Sequence, residues 1–145
     1  MTLTDSHAHL DMYSDDLPAV LMRAQAAGVG TILAIGIGEG PDEMQRALEI
    51  VAEYSGRPAT PAIYASAGIH PQEAHRADAG ALDKLARLAK DERVIAIGEI
   101  GLDYYHVDNP LVRKALPSRA VDGVARRCAL HPPPQSGADS GGDGG

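Results

Sequence analysis

Short apolar runs alternate with amphipathic segments over roughly the first 110 residues. Runs of small and β-branched apolar residues predict buried strands at 1–9, 31–37, 62–69 and 94–102. The intervening segments carry apolar residues at helical spacing in three groups: Leu17, Leu21 and Ala24; Met44, Leu48 and Val51; Leu82, Leu85, Leu88 and Ala89. Four βα units predict a parallel α/β sheet with right-handed crossovers, which is either an open sheet or half of a closed barrel.

Helix-start signals precede each amphipathic segment. The polar residues 14–16 come before the first, and Asp78 comes before the third. Pro41 suits the first position of the second helix, with Asp42 and Glu43 in its first turn. The glycine-rich stretch 36–40 is short, and we interpret it as a turn rather than a phosphate-binding loop.

The pattern changes abruptly near residue 115. Pro117 and Gly123 interrupt any long helix, and a triple proline leads into a Gly/Ser/Asp-rich end that cannot pack a core. We therefore predict a partial domain at 1–114 and an irregular, disordered tail at 115–145.

Charge is distributed unevenly in this chain of 145 residues with net charge −7. Residues 1–112 hold 8 Lys and Arg against 17 Asp and Glu, a net charge of −9, and the remainder has a net charge of +2. An acidic body argues against a broad basic surface for nucleic acid, so positive charge for phosphate groups must come from bound cations. The single cysteine, the absence of a signal-peptide pattern and the absence of a membrane-length apolar run predict a cytoplasmic protein that does not contact the membrane.

The motif "DSHAHLD", at residues 5–11, is the first candidate for chemistry. His7 and His9 are two positions apart on a predicted strand, so both imidazoles project to the same side and can reach one metal ion. Asp5 shares this parity and is a candidate to orient a histidine. The alternative is an exposed HxH sequence with no ligand role.

Glu99 and His70 follow two other predicted strands, at the ends where parallel α/β folds place their sites. A carboxylate at the end of an apolar strand requires a partner or a metal, although a salt bridge to a loop would also satisfy Glu99. His70 either contacts a substrate phosphate or caps the following helix. Polar and aromatic residues at 103–105 suggest a pocket wall or a turn, and Cys128 has no neighbouring base to activate it.

Taken together, "DSHAHLD", "AGIHPQEA" and "IGEIGLDYY" resemble the TatD family of metal-dependent deoxyribonucleases. The resemblance covers about residues 1–112 and implies a (β/α)₈ barrel, of which this chain carries the N-terminal half. It implies that His7 and His9 bind one divalent metal and that Glu99 bridges two, with Mg, Mn or Zn as the ions. The implied activity is two-metal hydrolysis of the phosphodiester bonds of DNA.

The resemblance also implies ligands that have no counterpart here: a histidine after each of strands five and six, and an aspartate near strand eight. His131 lies in a segment too broken to take the first of these places. We therefore expect a truncated or frame-shifted copy that does not perform two-metal hydrolysis unless another chain completes the site. Its open sheet edges lead either to a homodimer that covers them or to aggregation. The alternatives are a non-catalytic fragment or interaction module, and an amidohydrolase-like hydrolase of small esters or amides.

Overall fold

Four parallel strands and the helices between them make up the described part of the chain. The computed structural model describes residues 2–13 and 15–101. The strands are β1 (Leu3–Ala8), β2 (Val29–Ala34), β3 (Ala62–Ala67) and β4 (Val94–Ile97), and the α-helices are α1 (Leu17–Ala26), α2 (Arg46–Tyr54) and α3 (Ala79–Leu88). Short 3₁₀ turns lie at Leu10–Tyr13, Pro41–Glu43 and Pro71–Arg76. The predicted parallel βα repeat is confirmed.

The sheet has the order β1-β2-β3-β4, so each strand pairs with its neighbour in sequence and β1 and β4 form the two edges. All three pairings are parallel. The β2–β3 pairing is regular, whereas the other two pairings are not. β2 contains one extra residue opposite the step from Leu3 to Thr4, and β1 and β4 each contain one extra residue further along. In β1 the extra residue lies between Asp5 and Ala8, which is the stretch that carries His7. Such bulges are frequent beside functional sites, where they change the direction of a side chain.

Two apolar clusters hold the helices against one face of the sheet. The first joins α1 and α2 to the first three strands, and it contains Leu10, Leu17, Leu21, Ile32, Ala34, Ala47, Ile50, Val51, Ile63 and Ala65. The second surrounds α3 and the C-terminal ends of β3 and β4, and it contains Met44, Ala67, Ile69, Ala81 and Leu85. Ile97 and Ile100, on either side of Glu99, pack against the second cluster.

The second helix departs from its prediction. Pro41–Glu43 form a 3₁₀ turn, and the α-helix begins only at Arg46. The reason lies in the packing, because Met44 is buried in the second cluster whereas Val51 is buried in the first. One continuous helix would place both residues on a single stripe.

The strand ends and helix caps also refine the predictions. The apolar runs continue beyond the paired strands, since β2 ends at Ala34 and β4 at Ile97 rather than at 37 and 102. Asp78 caps α3 by accepting a hydrogen bond from the Ala81 N–H at 2.8 Å. Asp16 does not cap α1 with its side chain, and it pairs with Arg23 instead. None of the helices within residues 2–13 and 15–101 has the length and apolarity needed to cross a bilayer.

Candidate metal centre

The three residues predicted as metal ligands come together at the C-terminal end of the sheet. His7 lies in β1, His9 directly follows it, and Glu99 is the second residue after β4. These strands are the two edges of the sheet, with β2 and β3 between them. The sheet must therefore curve strongly for the side chains of its first and last strands to meet.

The donor atoms of these residues form a compact triangle. Nε2 of His7 lies 3.2 Å from Nε2 of His9, and the Glu99 Oε2 atom lies 4.0 Å and 3.9 Å from these two nitrogens, respectively. The point equidistant from all three atoms lies about 2.2 Å from each, close to the roughly 2.0–2.2 Å of zinc–nitrogen and zinc–oxygen bonds. Two imidazoles and a carboxylate thus form a group that could hold one divalent ion.

The side chains of the triangle are accessible from outside the protein. The exposed fractions are 52% for His7, 32% for His9 and 34% for Glu99. The two imidazoles meet edge to face, with ring centroids 5.1 Å apart. An ion and a substrate group can therefore reach the donor atoms directly.

Asp5 acts on the site differently from the prediction. Its Oδ1 atom accepts a hydrogen bond from the backbone N–H of His7 at 3.0 Å. Within the described residues, its hydrogen bond is to the backbone of β1 and not to an imidazole ring. Asp5 therefore fixes the chain conformation that presents His7.

His70 lies outside the triangle of donor atoms. Its Nδ1 atom accepts a hydrogen bond from the Gln72 N–H at 3.2 Å and so caps the 3₁₀ turn that follows β3. This bond requires an unprotonated Nδ1, so the neutral ring carries its proton on Nε2. Both the capping role and a donor role toward a substrate are therefore open to the same side chain.

Sequence reasoning missed a buried polar contact between β3 and the segment that follows β2. Ser66 in β3 is only 3% exposed, and its Oγ atom accepts a hydrogen bond from the Gly36 N–H at 3.2 Å. The signal that could have found it is the small residues near the ends of β2, β3 and β4, in "IGIG", "SAGI" and "IGEIG". The predictions for residues 103–105, Cys128, His131 and the tail at 115–145 lie outside the described residues.

Two histidines and a carboxylate at the C-terminal end of a parallel βα sheet thus form a candidate metal site of the kind found in α/β folds. The sequence profile of the family described as TatD related DNase matches residues 4–116. This chain belongs to that family.

Individual relatives agree with this assignment. The chain is 37% identical over 110 residues to the "uncharacterized metal-dependent hydrolase YabD" of Bacillus subtilis, an alignment covering 74% of this chain and 40% of the relative. It is 34% identical over 92 residues to the "3'-5' ssDNA/RNA exonuclease TatD" of Klebsiella pneumoniae, covering 63% of this chain and 32% of that protein. The chain thus spans about two fifths or less of the length of these relatives.

A solved structure gives the same result for the fold. The crystal structure of YJJV, a TatD homologue from Escherichia coli K12, superimposes with a TM-score of 0.67 at 28% identity. The match covers 88% of this chain and 48% of that chain. The four parallel strands and the helices between them therefore correspond to the N-terminal half of the TatD barrel, as the sequence predicted.

Proposed function

We propose that this chain supplies half of the metal centre of a phosphodiesterase acting on DNA. The observation that carries the proposal is the triangle of His7, His9 and Glu99, whose donor atoms surround one point at metal-ligand distance. The exonuclease name of the Klebsiella relative supports nucleic acid as the substrate. An acidic chain with net charge −7 fits this role because the cations, not the protein, would neutralise the phosphate.

Each side chain has a distinct task in this proposal. The Nε2 atoms of His7 and His9 would hold one divalent ion together with the Glu99 carboxylate, and the same carboxylate would also serve a second ion. The Nε2–H of His70 donates a hydrogen bond to a non-bridging phosphate oxygen, while its Nδ1 remains engaged with Gln72. Divalent ions bound here would polarise the phosphoryl group and lower the pKa of a water molecule.

Completion of a two-metal centre needs further donors beyond these three. A homodimer is the partner arrangement we favour, because β1 and β4 are edge strands and their outer sides have no partner among the described residues. Light scattering of the purified chain tests it, with a monomer at all concentrations as the contradicting result. The cytoplasmic location remains a prediction.

The test of the proposed function uses the full 145-residue chain. Calorimetry with Zn²⁺ or Mn²⁺ measures binding, and release of nucleotides from an end-labelled single strand measures hydrolysis. The variants His7→Ala and His9→Ala should lose the binding of the metal, whereas His75→Ala should not, because His75 bonds to a backbone oxygen within its own turn. Metal binding without DNA cleavage would indicate a non-catalytic fragment, and cleavage of small esters instead of DNA would indicate the amidohydrolase-like alternative.

A further inference from the structure

A chain of backbone hydrogen bonds crosses the C-terminal ends of all four strands. The Ile35 N–H donates to the Ala8 carbonyl at 2.9 Å, and the Gly68 N–H donates to the Gly36 carbonyl at 3.1 Å. The Gly98 N–H then donates to the Ala67 carbonyl at 3.0 Å. Ala8 lies between the two histidines, and Gly98 directly precedes Glu99. The ladder therefore connects the two ligand-bearing edges through the strand ends between them.

At Gly68 the ladder leaves no room for a side chain. A Cβ atom there would lie 2.4 Å from the Gly98 carbonyl carbon, 2.5 Å from the Gly98 oxygen and 2.6 Å from the Glu99 oxygen. All three atoms belong to backbone, which cannot rotate away as a flexible side chain could. The segment that carries Glu99 thus lies directly against the backbone of Gly68.

We propose that Gly68 is a positioning residue that sets the reach of Glu99 toward His7 and His9. Ordinary contact of a Cβ atom begins at 3.4 Å, so a methyl group at Gly68 would displace the Gly98–Glu99 backbone by about 1 Å. Metal–ligand bonds tolerate only about 0.2 Å of variation. The displacement is therefore large enough to remove the carboxylate from the ligand set while both histidines stay in place.

This inference rests on the proposed metal centre, and the experiment tests the role of Gly68 separately from the existence of that centre. The affinity of the full chain for Zn²⁺ is measured by competition with a chromophoric chelator, and folding is monitored by circular dichroism. Gly68→Ala should weaken Zn²⁺ binding by about 10–100-fold, the range for residues that orient ligands. In a Glu99→Gln background the same substitution should change the affinity by less than about twofold, because the two act through one group.

Ile63→Ala is the matched control for damage to the sheet alone. It leaves a cavity in the first cluster, in β3 but away from the ladder, so it should lower the melting temperature but keep Zn²⁺ affinity within about twofold of the unaltered chain. Gly80→Ala controls for the glycine-to-alanine change itself, since a Cβ there meets only the Asp78 side chain, at 3.3 Å.

The outcomes separate the two proposals. Wild-type affinity in Glu99→Gln would overturn the metal centre, whereas wild-type affinity in Gly68→Ala with weak binding in Glu99→Gln would overturn only the role of Gly68. The positioning role would also be overturned if Gly68→Ala lowered the Zn²⁺ affinity equally in the unaltered chain and in the Glu99→Gln background. A Gly68→Ala chain that unfolds is remeasured in trimethylamine N-oxide, which favours the compact state. If that chain stays unfolded, Gly68 serves the sheet as a whole and the positioning role is wrong.

Discussion

The two faces of the sheet differ in how completely they are covered. On the face toward the helices, Ile63 and Ala65 are at most 2% exposed and pack against α-helical side chains. On the opposite face, Tyr64 is 39% exposed, and Ile95 in β4 is 54% exposed. In the first part of β3, alternate residues thus meet a packed core on one side and solvent on the other, whereas further along the strand Ser66 is buried as well.

The residues that stabilise the fold and the residues that could bind a metal therefore occupy different parts of the same sheet. The helix-covered face contains nearly all the buried apolar side chains of the described residues. The candidate ligands lie at the end of the sheet and remain a third to a half exposed. We therefore expect substitutions on the helix-covered face to unfold the protein, and substitutions at the ligands to change metal binding with little effect on the apo fold.

The largest effect should come from the helix-covered face. Leu21 in α1 is fully buried in the first cluster, so Leu21→Ala should lower the free energy of unfolding by about 2–5 kcal/mol. Urea titration followed by circular dichroism measures the change. The exposed Met22→Ala, one residue further along the same helix, is the control and should change stability by less than about 0.5 kcal/mol. Equal losses of unfolding free energy in Leu21→Ala and Met22→Ala would contradict the burial of Leu21 in the first cluster.

The next effect concerns the ligand end of the sheet. Zn²⁺ at a hundred times its dissociation constant should stabilise the chain by about 2.7 kcal/mol, because only the folded state brings the donors together. Removing the metal with a chelator should reverse the gain, and His9→Ala should abolish it. The melting temperature with and without Zn²⁺ gives the measurement. Stabilisation of His9→Ala to the same degree would show that the ion binds elsewhere.

A smaller effect is expected at the N-terminal end of β4, away from the ligands. Asp91 accepts hydrogen bonds from the Arg93 Nε and Nη2 atoms at 2.8 and 2.7 Å, and these bonds hold the pKa of the Asp91 carboxyl below its ordinary value. Because the folded state lowers this pKa, the stabilisation is fully present above the ordinary pKa of about 3.9 and is lost as the pH falls through the folded value.

Asp91→Asn should therefore cost up to about 1 kcal/mol at neutral pH, since the pair is partly exposed to solvent. The difference from the unaltered chain should vanish in strong acid. Urea titrations of both chains at a series of pH values measure it. If the free energies of unfolding of the two chains still differ below the pKa of Asp91 in the folded state, the carboxyl group stabilises the fold by packing and not by its charge.

The smallest effect should come from the open face of the sheet. Ile95→Thr keeps a β-branched side chain in β4 and removes apolar surface that is 54% exposed, so stability should change by less than about 0.5 kcal/mol. Thermal melts measure this effect. A loss comparable to that of Leu21→Ala would show that a partner or another part of the chain covers this face, and would remove the contrast between the two faces.

The arrangement of the elements was predictable because buried strands and amphipathic helices leave different apolar periods in the sequence. The element ends were not, since a run such as Ile35–Ile37 stays apolar after β2 has ended at Ala34. Hydrophobicity reports burial and cannot distinguish a paired strand from the buried segment that follows it. The break before α2 was missed for a related reason, because Met44 and Val51 share a period but pack into different clusters.

The candidate ligands were found from residue type and from their places after strands, whereas their surroundings were not. No sequence period shows that β1 and β4 curve toward each other, and so the distance from His9 to Glu99 comes only from the structure. The bond from Asp5 to the His7 backbone and the close approach at Gly68 are likewise consequences of three-dimensional contact. The sequence alone does not distinguish Gly68, where a side chain would clash with backbone, from glycines that have space around them.

The placement of the ligands on opposite sheet edges also bears on how the protein is made. His7 and Glu99 are 92 positions apart, so the site is assembled only after the fourth strand has left the ribosome and joined the third. An ion bound there would tie β1 to the segment after β4, as a crosslink closing a loop of that length would. The three candidate ligands thus come together only when the four described strands have formed one sheet.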